Sequence, residues 1–153
     1  LSPMAFLAAD VIMYFIISVI GMLIVLLIGC FGYDSSFTGS IPLLIYGFVL
    51  SGIAVFAIGL FIASVSRTAK VAQTLGMVIG FPMMFLSGAS MPVEFMPDAM
   101  DKVIKAMPLS YSVSMMRDIW EGAGLADLKG DSFVLLAVAG VFILITAVIF
   151  KWD

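Results

Sequence analysis

Residues 81–117 read FPMMFLSGASMPVEFMPDAMDKVIKAMPLSYSVSMMR, and the reading of this stretch decides the fold. An apolar run leads into it and breaks at Ser87-Gly88, with Pro92 and Pro97 close behind. Proline lacks a backbone donor and clashes with the preceding turn, so a helix does not pass intact. Two short helical patterns follow, over 97–107 and 110–121, with Pro108 ending the first and Ser110 placed to cap the second. At about 1.5 Å per residue neither crosses ~30 Å of hydrocarbon, so the chain dips in and returns, or lies flat. In the first pattern Met96, Met100, Val103, Ile104 and Met107 recur at helical spacing, while Asp98, Asp101, Lys102 and Lys105 fill the other face. Asp98 with Lys102 and Asp101 with Lys105 stand four apart in the favourable acid-before-base order, as suits an interfacial helix. Gly122 and Gly124 mark the end of the second pattern.

Outward from this stretch the chain is apolar. Of its 153 residues 63% are hydrophobic and 11% charged, with a mean hydropathy of +1.25. There is too little polar surface here to wrap a water-soluble core. The expected fold is all-α and integral to a membrane: four spans over about 11–30, 41–63, 71–91 and 133–150, and a helical hairpin over 93–122 outside the cytoplasm. Asp10 stands at the start of the first span, where a carboxylate caps free backbone donors. Pro42 fits the first turn of the second. Pro82 is expected to kink the third, and Gly76 and Gly80, four apart, let another helix backbone approach. Lys151 and Trp152 suit an interfacial anchor after the last span.

The segment 64–70 is short and basic, carrying Arg67 and Lys70 beside Thr68, and by the positive-inside bias it is cytoplasmic. The spans then alternate, which puts residues 94–131 outside and the C-terminus inside. Lys102, Lys105, Arg117 and Lys129 run against that bias, and helix pairing and snorkelling account for several of them.

An ordered set of residues in this frame resembles the type-2 ABC exporter permeases. Phe85-Leu-Ser-Gly88, Pro92, Pro97, then Pro108-Leu-Ser-Tyr111 and a closing Arg117 stand in the order those permeases show. Upstream, Gly59, Ser64, Ser66, Arg67 and Ala72-Gln73 are similar to their cytoplasmic turn between the fourth and fifth spans. The resemblance covers roughly 59–117. It implies the C-terminal half of a six-span permease, with two earlier spans and a coupling helix preceding Leu1. It implies an ATPase partner, separate or fused, and a second permease copy as homodimer or pseudo-dimer. The two copies would form the path for a small hydrophobic or amphipathic substrate in the plasma membrane. Arg67, Thr68 and Lys70 would then face the ATPase. Gly88, Pro92, Pro97, Pro108, Tyr111 and Arg117 would shape the outer hairpin as a lid.

The chemistry of the side chains points the same way. No Gly-x-x-x-x-Gly-Lys-Ser/Thr loop occurs, so the chain is expected to bind no cofactor itself and to leave ATP and magnesium to the partner. With no histidine and a single cysteine, Cys30, the sequence offers no acid-base or nucleophilic centre and no metal finger. The seven Lys and Arg are scattered, which argues against nucleic acid. Twelve methionines raise a copper reading, since thioethers are soft ligands, but methionine more often fills irregular apolar packing. Tyr111 and Arg117 are read first as anchors of the hairpin and second as ligand contacts. Half of a secondary transporter or channel, or an accessory structural subunit, are the other readings. The first would usually carry ionisable residues inside its spans or break its helices at mid-membrane.

Overall fold

A computed structural model describes residues 3–32, 38–89, 97 and 100–149. These form six helices and no strand: α1 (Pro3–Gly32), α2 (Ile41–Val65), α3 (Ala69–Leu86), α4 (Asp101–Ala106), α5 (Pro108–Trp120) and α6 (Lys129–Ile149). Four carry stretches long and apolar enough to cross a membrane, at Ile12–Gly29, Ile41–Val65, Ala69–Leu86 and Lys129–Ile149. The chain divides into two compact units, Leu1–Thr38 and Gly39–Asp153.

The first unit is α1. Its 30 residues make a rod of about 45 Å, longer than the hydrocarbon it has to cross. Helix is already present at Pro3, the first described residue, and the Met-Ala-Phe-Leu-Ala-Ala run after it favours helix. Asp10 therefore lies two turns inside α1 and does not cap it, which corrects the expectation from sequence. Ser18 donates its hydroxyl to the Tyr14 carbonyl at 2.8 Å, so this polar group is satisfied within its own helix.

The second unit is built on α2, which packs most extensively against α6 and next against α5. Leu44, Gly47, Leu50, Ala54, Ala57 and Ile62 are the buried residues of α2, and their spacing of three to five traces one face of a helix. Ala54 and Ala57 are almost wholly covered, and side chains this small let helix axes approach. α6 answers with Ser132, Leu135 and Ala139. Farther along, the Phe61 and Phe142 rings meet at 5.2 Å between centroids, tilted by 58°, a favourable aromatic geometry.

Pro42 lies in the first turn of α2 as its sequence indicated. The far end of α2 closes with the Ser66 hydroxyl donating to the Ile62 carbonyl at 2.6 Å and the Ser64 hydroxyl to that of Phe61 at 2.7 Å. Thr68 then opens α3, its hydroxyl accepting from the Val71 N–H at 3.3 Å, an N-cap. α3 runs through Pro82 and stops at Leu86, shorter than the span read from sequence, and buries no residue within the chain. The stop is local: the Ser87 N–H donates to the Met83 carbonyl at 3.0 Å, and Gly88 takes φ 84°, which an L side chain rarely adopts.

Met107 joins α4 to α5 and belongs to neither. It closes α4 by donating its N–H to Ile104 at 3.0 Å, and its backbone is extended, φ −93° and ψ 122°, as a residue before proline should be. Pro108 is the first residue of α5, so Ser110 sits in the first turn rather than capping it. α4 is also shorter than its sequence pattern. Met100 donates its N–H to the Pro97 carbonyl at 2.8 Å, and helix begins only at Asp101. Gly122, at φ 93°, ends α5, while Gly124 stands clear of the helix and donates its N–H to Asp127 Oδ2 at 3.0 Å. Met91, Pro92, Met96, Asp98, Lys151 and Trp152 lie outside the described residues.

Candidate functional site

α5 sits at the end of the bundle where α3 stops and α6 starts. Three of its residues, Ser112, Met115 and Ile119, are buried, on one face by their spacing. Met115 and Ile119 have no exposed surface, and neither does Leu128 in the turn before α6. The Ser132 hydroxyl of α6 reaches Met115 Sδ at 3.8 Å. Gly47 of α2 is what admits α5. A Cβ placed there would stand 2.7 Å from Ile119 Cδ1 and 3.2 Å from Met116 Sδ.

The opposite face of α5 carries Ser110, Ser114 and Asp118, each four residues from the last and so aligned along the helix. This face forms one wall of a cleft of about 300 Å³. The cleft is completed by Ser87 and Gly88 from the end of α3, Ile104 and Lys105 from the last turn of α4, and Asp131 from the first turn of α6. Tyr111 and Arg117 also line it. The Tyr111 hydroxyl donates to the Lys105 carbonyl at 2.6 Å, fastening α5 to α4 across the Met107-Pro108 turn. Ser114 and Asp118 face Asp131 across this cleft. The Ser110 hydroxyl is buried, lines the cleft and has no hydrogen-bond partner among the described residues.

Residues singled out in the sequence thus fall into separate places. Gly88, Tyr111 and Arg117 meet in the cleft, and Pro108 opens the helix that forms its wall. Arg67, Thr68 and Lys70 are exposed at the other end of α2 and α3. Gly76 and Gly80 line an apolar groove of about 190 Å³ with Gly59, Ile62 and Met83. Among the described residues a Cβ at either glycine meets nothing within 4 Å. Within the second unit the close approach of helices is at Gly47. Ser114 and Asp131 were not singled out in the sequence, although the four-residue spacing of Ser110, Ser114 and Asp118 was visible there.

Residues 1–148 match the protein family described as ABC-2 family transporter protein. The chain is 32% identical over 114 residues to the inner membrane transport permease YhhJ of Escherichia coli, a match covering 74% of this chain and 30% of the relative. It is 30% identical over 115 residues to the probable multidrug ABC transporter permease YbhR of Escherichia coli, covering 75% and 31%. Nodulation protein J of Rhizobium meliloti is 28% identical over 79 residues, covering 52% and 30%. The chain thus spans about a third of the length of these relatives. No solved structure matches it.

Proposed function

We infer from one premise, that this chain belongs to the ABC-2 family of transporter proteins, that it is part of the permease of an ATP-driven exporter. It is a multi-pass membrane protein with four apolar crossing helices. ATP hydrolysis takes place in a partner ATPase, and two permease copies form the path in the plasma membrane between them. A small hydrophobic or amphipathic molecule is the substrate class, in keeping with the word multidrug in the name of one relative.

The observation that carries the reading is the separation of two ends of one bundle. The turn with exposed Arg67 and Lys70 joins α2 to α3, whereas α5 of the hairpin packs near the start of α2, at Gly47, and of α6, at Ser132. Basic residues favour the cytoplasmic side, which gives the first end to the ATPase and the second to the exit. The C-terminus after α6 is then cytoplasmic. In this arrangement the hairpin acts as a lid, closing the outer end while the inner end is open.

Reversing both charges, Arg67→Glu with Lys70→Glu, tests the inner contact in the assembled transporter. Substrate-stimulated ATP hydrolysis should fall roughly fivefold or more, the effect of about 1 kcal/mol at a contact, with membrane insertion unchanged. Full stimulation in the double variant would remove this turn from the ATPase interface.

A further inference from the structure

The polar cleft and the apolar groove share two walls. Met83, in the groove, stands four residues before Ser87, in the cleft, on the same face of the chain leaving α3. Leu109, also in the groove, adjoins Ser110 in the cleft. The groove continues from there along α2 and α3, lined by Val55, Ile58, Ile79 and Gly80 among others, almost without polar surface. It is open because Gly59, Gly76 and Gly80 carry no side chain and nothing lies within 4 Å of their Cβ positions.

Depth matches this polarity. The cleft sits where α3 ends at Leu86 and α6 begins at Lys129, the level at which crossing helices pass from hydrocarbon into the head-group layer. The groove lies one turn and more deeper. Among the described residues the charge lining the cleft is balanced: Lys105 and Arg117 set two cationic side chains against the carboxylates of Asp118 and Asp131. An anionic head group meets two carboxylates there and a cationic one meets two cations, whereas a head group bearing both signs complements the set. The buried Ser110 hydroxyl supplies a donor with no partner of its own among the described residues.

We propose that this continuous site holds a zwitterionic glycerophospholipid, its phosphate and ammonium groups in the cleft and an acyl chain in the groove between α2 and α3. The lipid would bind within one permease copy, apart from a path between copies, and would brace the hairpin against α3.

The test uses the complete permease in detergent, with retained lipid measured by native mass spectrometry. The probes are phosphatidylethanolamine, phosphatidylglycerol and the chain-free head group glycerophosphoethanolamine. Phosphatidylethanolamine should be retained over phosphatidylglycerol, and Asp131→Asn should reduce that preference roughly fivefold, as for the loss of one charge-assisted contact. Asp131→Glu should preserve it. Gly80→Leu should fill the groove and lower retention of both two-chain lipids. Should Asp131→Asn fail to fold, Asp118→Asn gives the same readout, while Ser110→Ala, which removes a donor to the phosphate of both lipids, should weaken retention of both. Equal retention of the two lipids, unaltered by Asp131→Asn or Ser110→Ala and by Gly80→Leu, would mean boundary lipid only and overturn the site. Displacement of phosphatidylethanolamine by glycerophosphoethanolamine at equal concentration would make it a site for a soluble zwitterion and overturn the lipid assignment.

Discussion

Gly47 and Gly76 carry the same side chain and opposite consequences. A methyl group at Gly47 runs into Ile119, which is fully buried, whereas one at Gly76 meets open space. Gly47→Ala should therefore lower the thermal stability of the purified permease by about 1 kcal/mol, and Gly47→Val by more, as overpacking generally does. Gly76→Ala should leave stability unchanged or raise it slightly, since alanine is the better helix former by about 1 kcal/mol. Equal losses at the two positions would show that α5 does not seat on α2 at Gly47. Tyr111 is the second case. Tyr111→Phe removes the 2.6 Å bond to the Lys105 carbonyl while keeping the ring, and should cost about 1 kcal/mol. An unchanged melting temperature would release the hairpin from this bond. Glycine conformation was legible before the structure where the residue ends a helix, at Gly88 and Gly122, because punctuation by glycine is a local property. It was not legible at Gly47. A close approach depends on a partner more than sixty positions away, which no spacing within α2 announces.

For elements, existence was easier to read than ends. Four long apolar runs need no partner to be recognised, and all four form helices. Ends depend on which local group captures the last free backbone donors. Good helix formers carried α1 upstream past Asp10, and Ser87 and Gly88 stopped α3 at Leu86. In the hairpin the turn falls at Met107, forced extended by Pro108, and the polar face of α5 becomes the cleft wall only because α3, α4 and α6 end beside it. The amphipathic reading of α4 can be checked residue by residue. Lys102 and Lys105 are exposed and Ile104 is 7% exposed. A thiol at Ile104→Cys should react with a membrane-impermeant reagent roughly tenfold or more slowly than one at Lys102→Cys, because it awaits local opening costing more than about 1.4 kcal/mol. Uniform reactivity across 102–105 would mean that α4 is not docked.

At the scale of the whole molecule, little of the crossing surface is covered by the chain itself. No more than 22% of any crossing stretch is buried, and none of α3 is. Such surface is suited to lipid and to other helices. Four crossings follow from length and hydropathy, but the separation of the basic turn from the hairpin carries the functional reading, and it rests on α2 and α3 each crossing once. Ala69 at the start of α3 and Ala126 in the turn before α6 are both exposed. Single cysteines at Ala69→Cys and Ala126→Cys, in a Cys30→Ser background, can be labelled in intact cells with an impermeant maleimide. The expected result is reaction at position 126 from outside and at position 69 only after the membrane is permeabilised. Labelling of both from the same side would contradict the four-span arrangement, and with it the assignment of one end to the ATPase and the other to the lid.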